Sequence, residues 1–288
     1  MKKSFALILT LLLAFGLAAC GGSAPKEIKD KDSEQQAEAP EKATIESQVL
    51  VDQDGLVITA QELVEDEIWG MGVKVLIENN TDQNVCVQCN SIIVNNYMVF
   101  DLFSCEVAPG KKANDTIYLS SSSLEEAGIT TISDIIVSFH VFDSNGFDTL
   151  FDTPEIEIQT SAYGTVQQPA MDDGVELVNQ DGIRIVGKYV DEERLMGASV
   201  LLFMENNTGR NILIQCDDMS VNGFMVTGFL YSAVNSGRMA LDDITILSSD
   251  LEENGIESIE DIELIFQVID SDTFDTILET GPVSFTVQ

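Results

Sequence analysis

"SSSLEEAGITTISDIIVSFHVFDSNGFDT", residues 121–149, returns as "SSDLEENGIESIEDIELIFQVIDSDTFDT", residues 248–276. The offset is 127 residues. The same offset aligns "QDGLVI" (53–58) with "QDGIRI" (180–185), "ENNT" (78–81) with "ENNT" (205–208), and "VNNYMV" (94–99) with "VNGFMV" (221–226). Laying residues 52–161 on 179–288 without a gap gives about 41 identities in 110 positions, where chance gives a handful. The chain holds one domain written twice.

Each copy reads as strands. Apolar and polar residues alternate in "LVITAQELV", "VKVLIEN", "NVCVQC", "DIIVSFHVF" and "PEIEIQT", with turn signals every 8–12 residues. Asn95-Asn96, with Asn222-Gly223 in the second copy, supplies the left-handed pair that a two-residue I′ hairpin needs, and Asn145-Gly146 gives the same signal. The single helical hint is "SSLEEAG", where Ser122 and Glu125 fit a capping box and Gly128 fits a C′ cap. Many short strands without βαβ spacing predict an all-β chain of two tandem immunoglobulin-like antiparallel β-sandwiches. Trp69 becomes Met196, so the antibody Cys…Trp…Cys pattern is absent and "immunoglobulin-like" describes architecture only.

Working outward, "MKKSFALILTLLLAFGLAAC" has a positive start at Lys2 and Lys3 and an uncharged apolar run from Phe5 to Leu17. That pattern predicts a secretory signal over residues 1–19, too short for a comfortable membrane span. Its end, Leu17-Ala18-Ala19-Cys20-Gly21, resembles the lipobox of bacterial lipoproteins. The resemblance implies cleavage before Cys20, a diacylglyceryl thioether with palmitate-like chains on its sulfur, and anchorage to the extracytoplasmic face of the cell membrane. Two acyl chains suffice for stable anchoring, at about 0.8 kcal/mol per buried CH₂. Residues 20–48 are rich in Gly, Ser, Pro, Glu and Lys and predict a tether with a reach of about 30 Å. The expected domains are residues 49–161 and 175–288, joined by a linker over 162–174. The whole layout resembles uncharacterised surface lipoproteins of Gram-positive gut bacteria, a resemblance that implies an address and no active site.

Charge narrows the partners. The net formal charge is −35, and without residues 1–19 the chain keeps 12 basic against 49 acidic residues, or −37. So acidic a surface repels phosphate backbones, which argues against nucleic acid.

The repeat also weighs candidate sites. Cys86-Val87-Gln88-Cys89 looks like a redox or zinc Cys-x-x-Cys, but the second copy reads Leu213-Ile214-Gln215-Cys216. In a strand, residues i and i+3 face opposite ways, and zinc needs four ligands where the chain has one histidine. Cys89 and Cys216 are therefore expected as core residues. Cys86 and Cys105 are confined to the first copy, and an exported protein permits a disulfide from Cys105 to either Cys86 or Cys89. Asp143, Asn145 and Asp148, with Asp270, Asp272 and Asp275, have an oxygen-rich 1, 3, 6 spacing that calcium could use, though the position-12 Glu of an EF-hand is missing. A polar hairpin tip explains the same residues. His140 becomes Gln267, and no nucleophile elbow or phosphate loop occurs. No cofactor is expected. The leading expectation is a non-enzymatic lipoprotein binding a protein or envelope polymer, with contacts at the tips carrying Asn95, Tyr97 and Phe224. The alternative is a calcium- or small-ligand-binding lipoprotein using the acidic tips.

Overall fold

The computed structural model describes residues 42–100, 102–194 and 196–287. The signal over 1–19, the lipid-bearing Cys20 and most of the tether lie outside the described residues. No helix among the described residues is long and apolar enough to cross a membrane.

The first copy contains β1 (Gln48–Gln53), β2 (Leu56–Asp66), β3 (Gly70–Asn79), β4 (Val85–Val94), β5 (Tyr97–Met98), β6 (Ser104–Val107), β7 (Lys111–Tyr118), α1 (Ser121–Glu126), β8 (Asp134–Asp143), β9 (Thr149–Asp152) and β10 (Ile156–Gln159). The second contains β11 (Val175–Gln180), β12 (Ile183–Arg194), β13 (Gly197–Asn206), β14 (Ile212–Val221), β15 (Phe224–Met225), β16 (Gly228–Phe229), β17 (Tyr231–Val234), β18 (Met239–Leu247), α2 (Ser248–Glu253), β19 (Asp261–Asp270), β20 (Thr276–Glu279) and β21 (Val283–Thr286). The predicted all-β duplication is present. Each copy packs a four-stranded sheet (β1-β2-β3-β7, or β11-β12-β13-β18) against a second built around β4 and β8, or β14 and β19. Alternation along the strands sends Ile58, Val75 and Ile77 inward in one copy and Ile185, Leu202 and Met204 in the other.

Repeated asparagines fix the turns. Asn79 is fully buried; its amide donates to the Gln83 and Val107 carbonyls, and its oxygen accepts from the Thr81 N–H and hydroxyl. Asn206 repeats this pattern with Arg210, Val234 and Thr208. The first asparagine of "ENNT" is thus a turn staple in both copies. Asn95 and Asn96 have φ of 48° and 74°, and Asn222 and Gly223 have 51° and 81°, as an I′ turn requires.

Two local expectations need correction. The N-cap of α1 is Ser120, whose hydroxyl accepts from the Ser123 N–H, in place of Ser122. Gly128 does take the C′ position, at φ 63°. At "DSNGFD" the left-handed residue is Phe147 (φ 60°), matched by Phe274 (φ 61°), because a longer loop closes with Phe147 N–H donating to the Asp143 carbonyl.

The two copies form one body, and the predicted tether and linker are partly structured. Residues 42–288 form a single compact unit. Ile45, inside the expected tether, makes an isolated antiparallel bridge to Thr160 and packs on the first core. In the expected linker, Gln168 donates to the Ala127 carbonyl, and Met171 packs on the first core. The first core extends into the second copy through Val186 and Phe203, both buried on the outer face of the β12–β13 sheet. Their counterparts in the first copy are Thr59 and Leu76, and buried Leu201 matches Lys74. An outer face that carries Thr59 and Lys74 in one copy has become, in the other, an apolar docking face.

Candidate functional site

The first-copy hairpin tip is the plug in that docking face. Tyr97 is 1% exposed and lies edge-on to Phe203, with centroids 6.5 Å apart. Its hydroxyl donates to the Pro169 carbonyl at 3.1 Å and accepts from the Met171 N–H at 2.7 Å. Burial raises the pKa of this phenol, so it stays protonated. Met239 N–H donates to the Asn96 carbonyl, giving the single parallel bridge between β5 and β18. Arg238 adds bonds to Asn96 Oδ1 (2.9 Å) and Glu155 (2.8 Å). Asn95 is buried too: its amide donates to Thr131 O, and its oxygen accepts from Ser133 N–H. Asn95 and Tyr97 are therefore corrected from external contacts to internal ones; the partner they meet is the rest of the same chain.

The second-copy tip differs. Phe224 is 49% exposed and Met225 64%, and Phe229 and Tyr231 nearby are exposed as well. Tyr231 borders a groove of ≈ 580 Å³ at the junction of the copies, lined from the first by Met98, Phe100 and Glu126 and from the second also by Arg194, Asp242 and Asp243. Burial raises the pKa of Asp242. Asp243 and Glu126 are also raised, by burial first; nearby acids add to this, while Arg194 opposes it. Arg194 bonds Asp243 at 3.2 Å and Asp191 at 3.0 Å. The groove thus combines aromatic walls with carboxylates that burial penalises, a combination suited to a partner bringing apolar groups and positive charge. Sequence reading missed it because its two walls come from different copies, at positions more than 60 residues apart.

Among the described residues, the remaining expected site residues are held in strands and turns. Cys105 pairs with Val87 and faces inward, whereas Cys86 pairs with Glu106 on the opposite face and sits 3.4 Å from the Ser104 hydroxyl. Opposite faces rule out the Cys86–Cys105 disulfide, and both are free thiols. Cys89 lies diagonally from Cys105, with cross-strand diagonals at about 7–8 Å, beyond the usual disulfide span. Cys89 and Cys216 are half-buried, less than core residues; Cys216 donates to the Gly228 carbonyl. Burial pushes the Cys105 thiol up to about 12 and Cys216 to about 11. At the acidic tips, Asp143 accepts from its own turn at Asn145 N–H, and Asp270 accepts from Asp272 and Thr273 and pairs with Arg210. Asn145, Asp148 and Asp275 join the same turns, and no group of three or more metal-binding side chains gathers among the described residues. The half-exposed His140 bonds Asp152 at 2.6 Å and stacks on Phe142.

No protein-family model matches the chain, and no curated protein matches it. Solved structures with a similar fold include the YadV chaperone (12% identity, TM-score 0.25, covering 81% of this chain and 100% of that one). Others are a Salmonella enterica SafA pilin in complex with the SafB chaperone (14%, TM-score 0.21, 75% and 89%) and a Porphyromonas gingivalis W83 protein of unknown function (8%, TM-score 0.19, 75% and 89%).

Proposed function

We propose that the chain is a non-enzymatic cell-surface lipoprotein, anchored to the membrane through acylated Cys20, whose paired sandwiches bind a protein or envelope polymer. The observation that carries the binding reading is the unequal fate of one hairpin. The tip buried at Tyr97 in the first copy is exposed at Phe224 and Met225 in the second. Large apolar side chains left exposed at this tip of a strongly acidic chain favour a partner surface. The anchor reading rests on the Leu17–Cys20 sequence alone.

The test is retrieval of partners from intact envelope by the lipidated chain, parent against Phe224→Asp/Met225→Asp. Loss of a specific partner in the variant supports the reading; identical retrieval by both removes the tip from it. Incorporation of labelled palmitate that persists in Cys20→Ser would overturn the anchor.

A further inference from the structure

The two copies also differ at the open side of each sandwich, between the β1–β2 edge and β10, or β11–β12 and β21. In the first copy an extended segment closes this side. Ile45 packs on the core and bridges Thr160; Ser161 N–H donates to the Thr44 carbonyl, Thr44 N–H donates to the Ser161 hydroxyl, and Ser47 donates to the Ala60 carbonyl. Behind it Ile158 is 1% exposed.

With the 127-residue offset, Ile45 corresponds to Asp172, Glu46 to Asp173 and Ser47 to Gly174. These residues run elsewhere. Gly174 has φ 151°, and a Cβ there would stand 2.3 Å from the Gly187 carbonyl oxygen, so only glycine lets the chain swing away at this point. Asp172 then bonds Arg184 at 2.7 Å on the outer face, and Asp173 takes Lys188 at 2.6 Å. The strap of the first copy has been diverted, in the second, to join the copies together.

What it leaves is a groove of ≈ 830 Å³ lined by Val175, Val190, Phe285 and Val287, with Asp261 and Glu263 at its rim. Phe285 and Val287 are only half-buried, where their counterparts Ile158 and Thr160 are covered. Strand β21 pairs with β19 on one side only. Because Val287 N–H points to the Glu260 carbonyl, alternation turns Ser284 and Thr286 N–H toward the open edge. An apolar slot beside a free strand edge is the geometry of strand addition.

We propose that this slot binds an extended peptide segment of a partner protein, antiparallel to β21, with a branched aliphatic residue seated against Phe285 and Val287 as Ile45 is seated in the first copy. Glu263, which replaces Ile136, and Asp261 favour a basic residue beside that anchor. The proposal deepens the reading that the sandwiches bind a partner, and it rests on that reading.

The probe is a labelled peptide with the sequence of residues 42–48, Lys-Ala-Thr-Ile-Glu-Ser-Gln, titrated against the full chain by fluorescence anisotropy. Binding is expected, weakened at least tenfold when the peptide's Ile is replaced by Asp. A similar loss is expected in Thr286→Pro, which removes an outward N–H and spares the bonds to β19. Unchanged melting of Thr286→Pro verifies that the variant folds; if it fails to fold, the peptide pair and hydrogen exchange at Ser284 and Thr286 decide instead. No binding at millimolar peptide, or binding indifferent to both changes, overturns the slot. So does protection of Thr286 without peptide, or a dimer that Thr286→Pro dissolves, since either would assign the edge to the chain itself. Envelope retrieval unaffected by Thr286→Pro but lost in the Phe224 variant would sink the slot and leave partner binding standing.

Discussion

Tyr97 and Phe224 are the same position in the two copies, so truncating each to alanine compares one side chain in two surroundings. Tyr97→Ala removes a buried aromatic, which costs about 3–5 kcal/mol. It also leaves the Met171 N–H without its acceptor, adding about 1 kcal/mol. Phe224 is half-exposed, and its loss forfeits about half of the 1.5–3 kcal/mol that full burial of such a side chain contributes, or about 1 kcal/mol. At about 2–4 °C per kcal/mol for a body of this size, Tyr97→Ala lowers Tm by about 8–24 °C and Phe224→Ala by a few degrees. Tyr97→Phe, which keeps the ring against Phe203, falls between them. Differential scanning calorimetry of the three variants at pH 7 is the assay. Equal, small losses at 97 and 224 would refute the docking of the first tip on the second copy.

The paired staples give a second test: Asn79→Ala and Asn206→Ala each orphan a buried carbonyl, of Val107 and Val234, and each is expected to cost about 2–3 kcal/mol in denaturant melts. Asp242→Asn removes a charge that burial opposes. The raised pKa means that the folded state holds its proton more tightly than the unfolded chain, so the parent loses stability as pH rises through that pKa. The variant therefore melts higher at pH 7, and its advantage disappears below the ordinary Asp value of 3.8, which a pH series of melts reads directly. With thiols pushed up to about 12 and about 11, Cys105 and Cys216 react slowly with Ellman's reagent at pH 8 in the native chain and promptly once it is unfolded.

Much of the fold was legible because duplication and strand alternation are local patterns. "VNNYMV" and "VNGFMV" announced both I′ turns, and "LIQC" beside "CVQC" separated two thiols that a motif search would join. The left-handed residue at "DSNGFD" was misplaced because a longer loop puts the strain on Phe147, where local preference points to Gly146. The site was harder. Whether Tyr97 is covered depends on Phe203, Pro169 and Met171, which lie more than 70 residues away, and nothing in the tip itself records them. One signal was available in the alignment of the copies: Thr59 and Lys74 become Val186 and Leu201 while Leu76 enlarges to Phe203, so the outer face loses its polar residues there in the second copy only. Likewise Ile45 becoming Asp172 marks a strap that has changed its course.

The divergence of the copies is tested most directly by residue-resolved amide hydrogen exchange on the full chain. Ser161 N–H, bonded to the Thr44 carbonyl under the first-copy strap, is predicted to exchange slowly, and Thr286 N–H on the open edge of β21 to exchange fast. Equal protection at the two amides would contradict it.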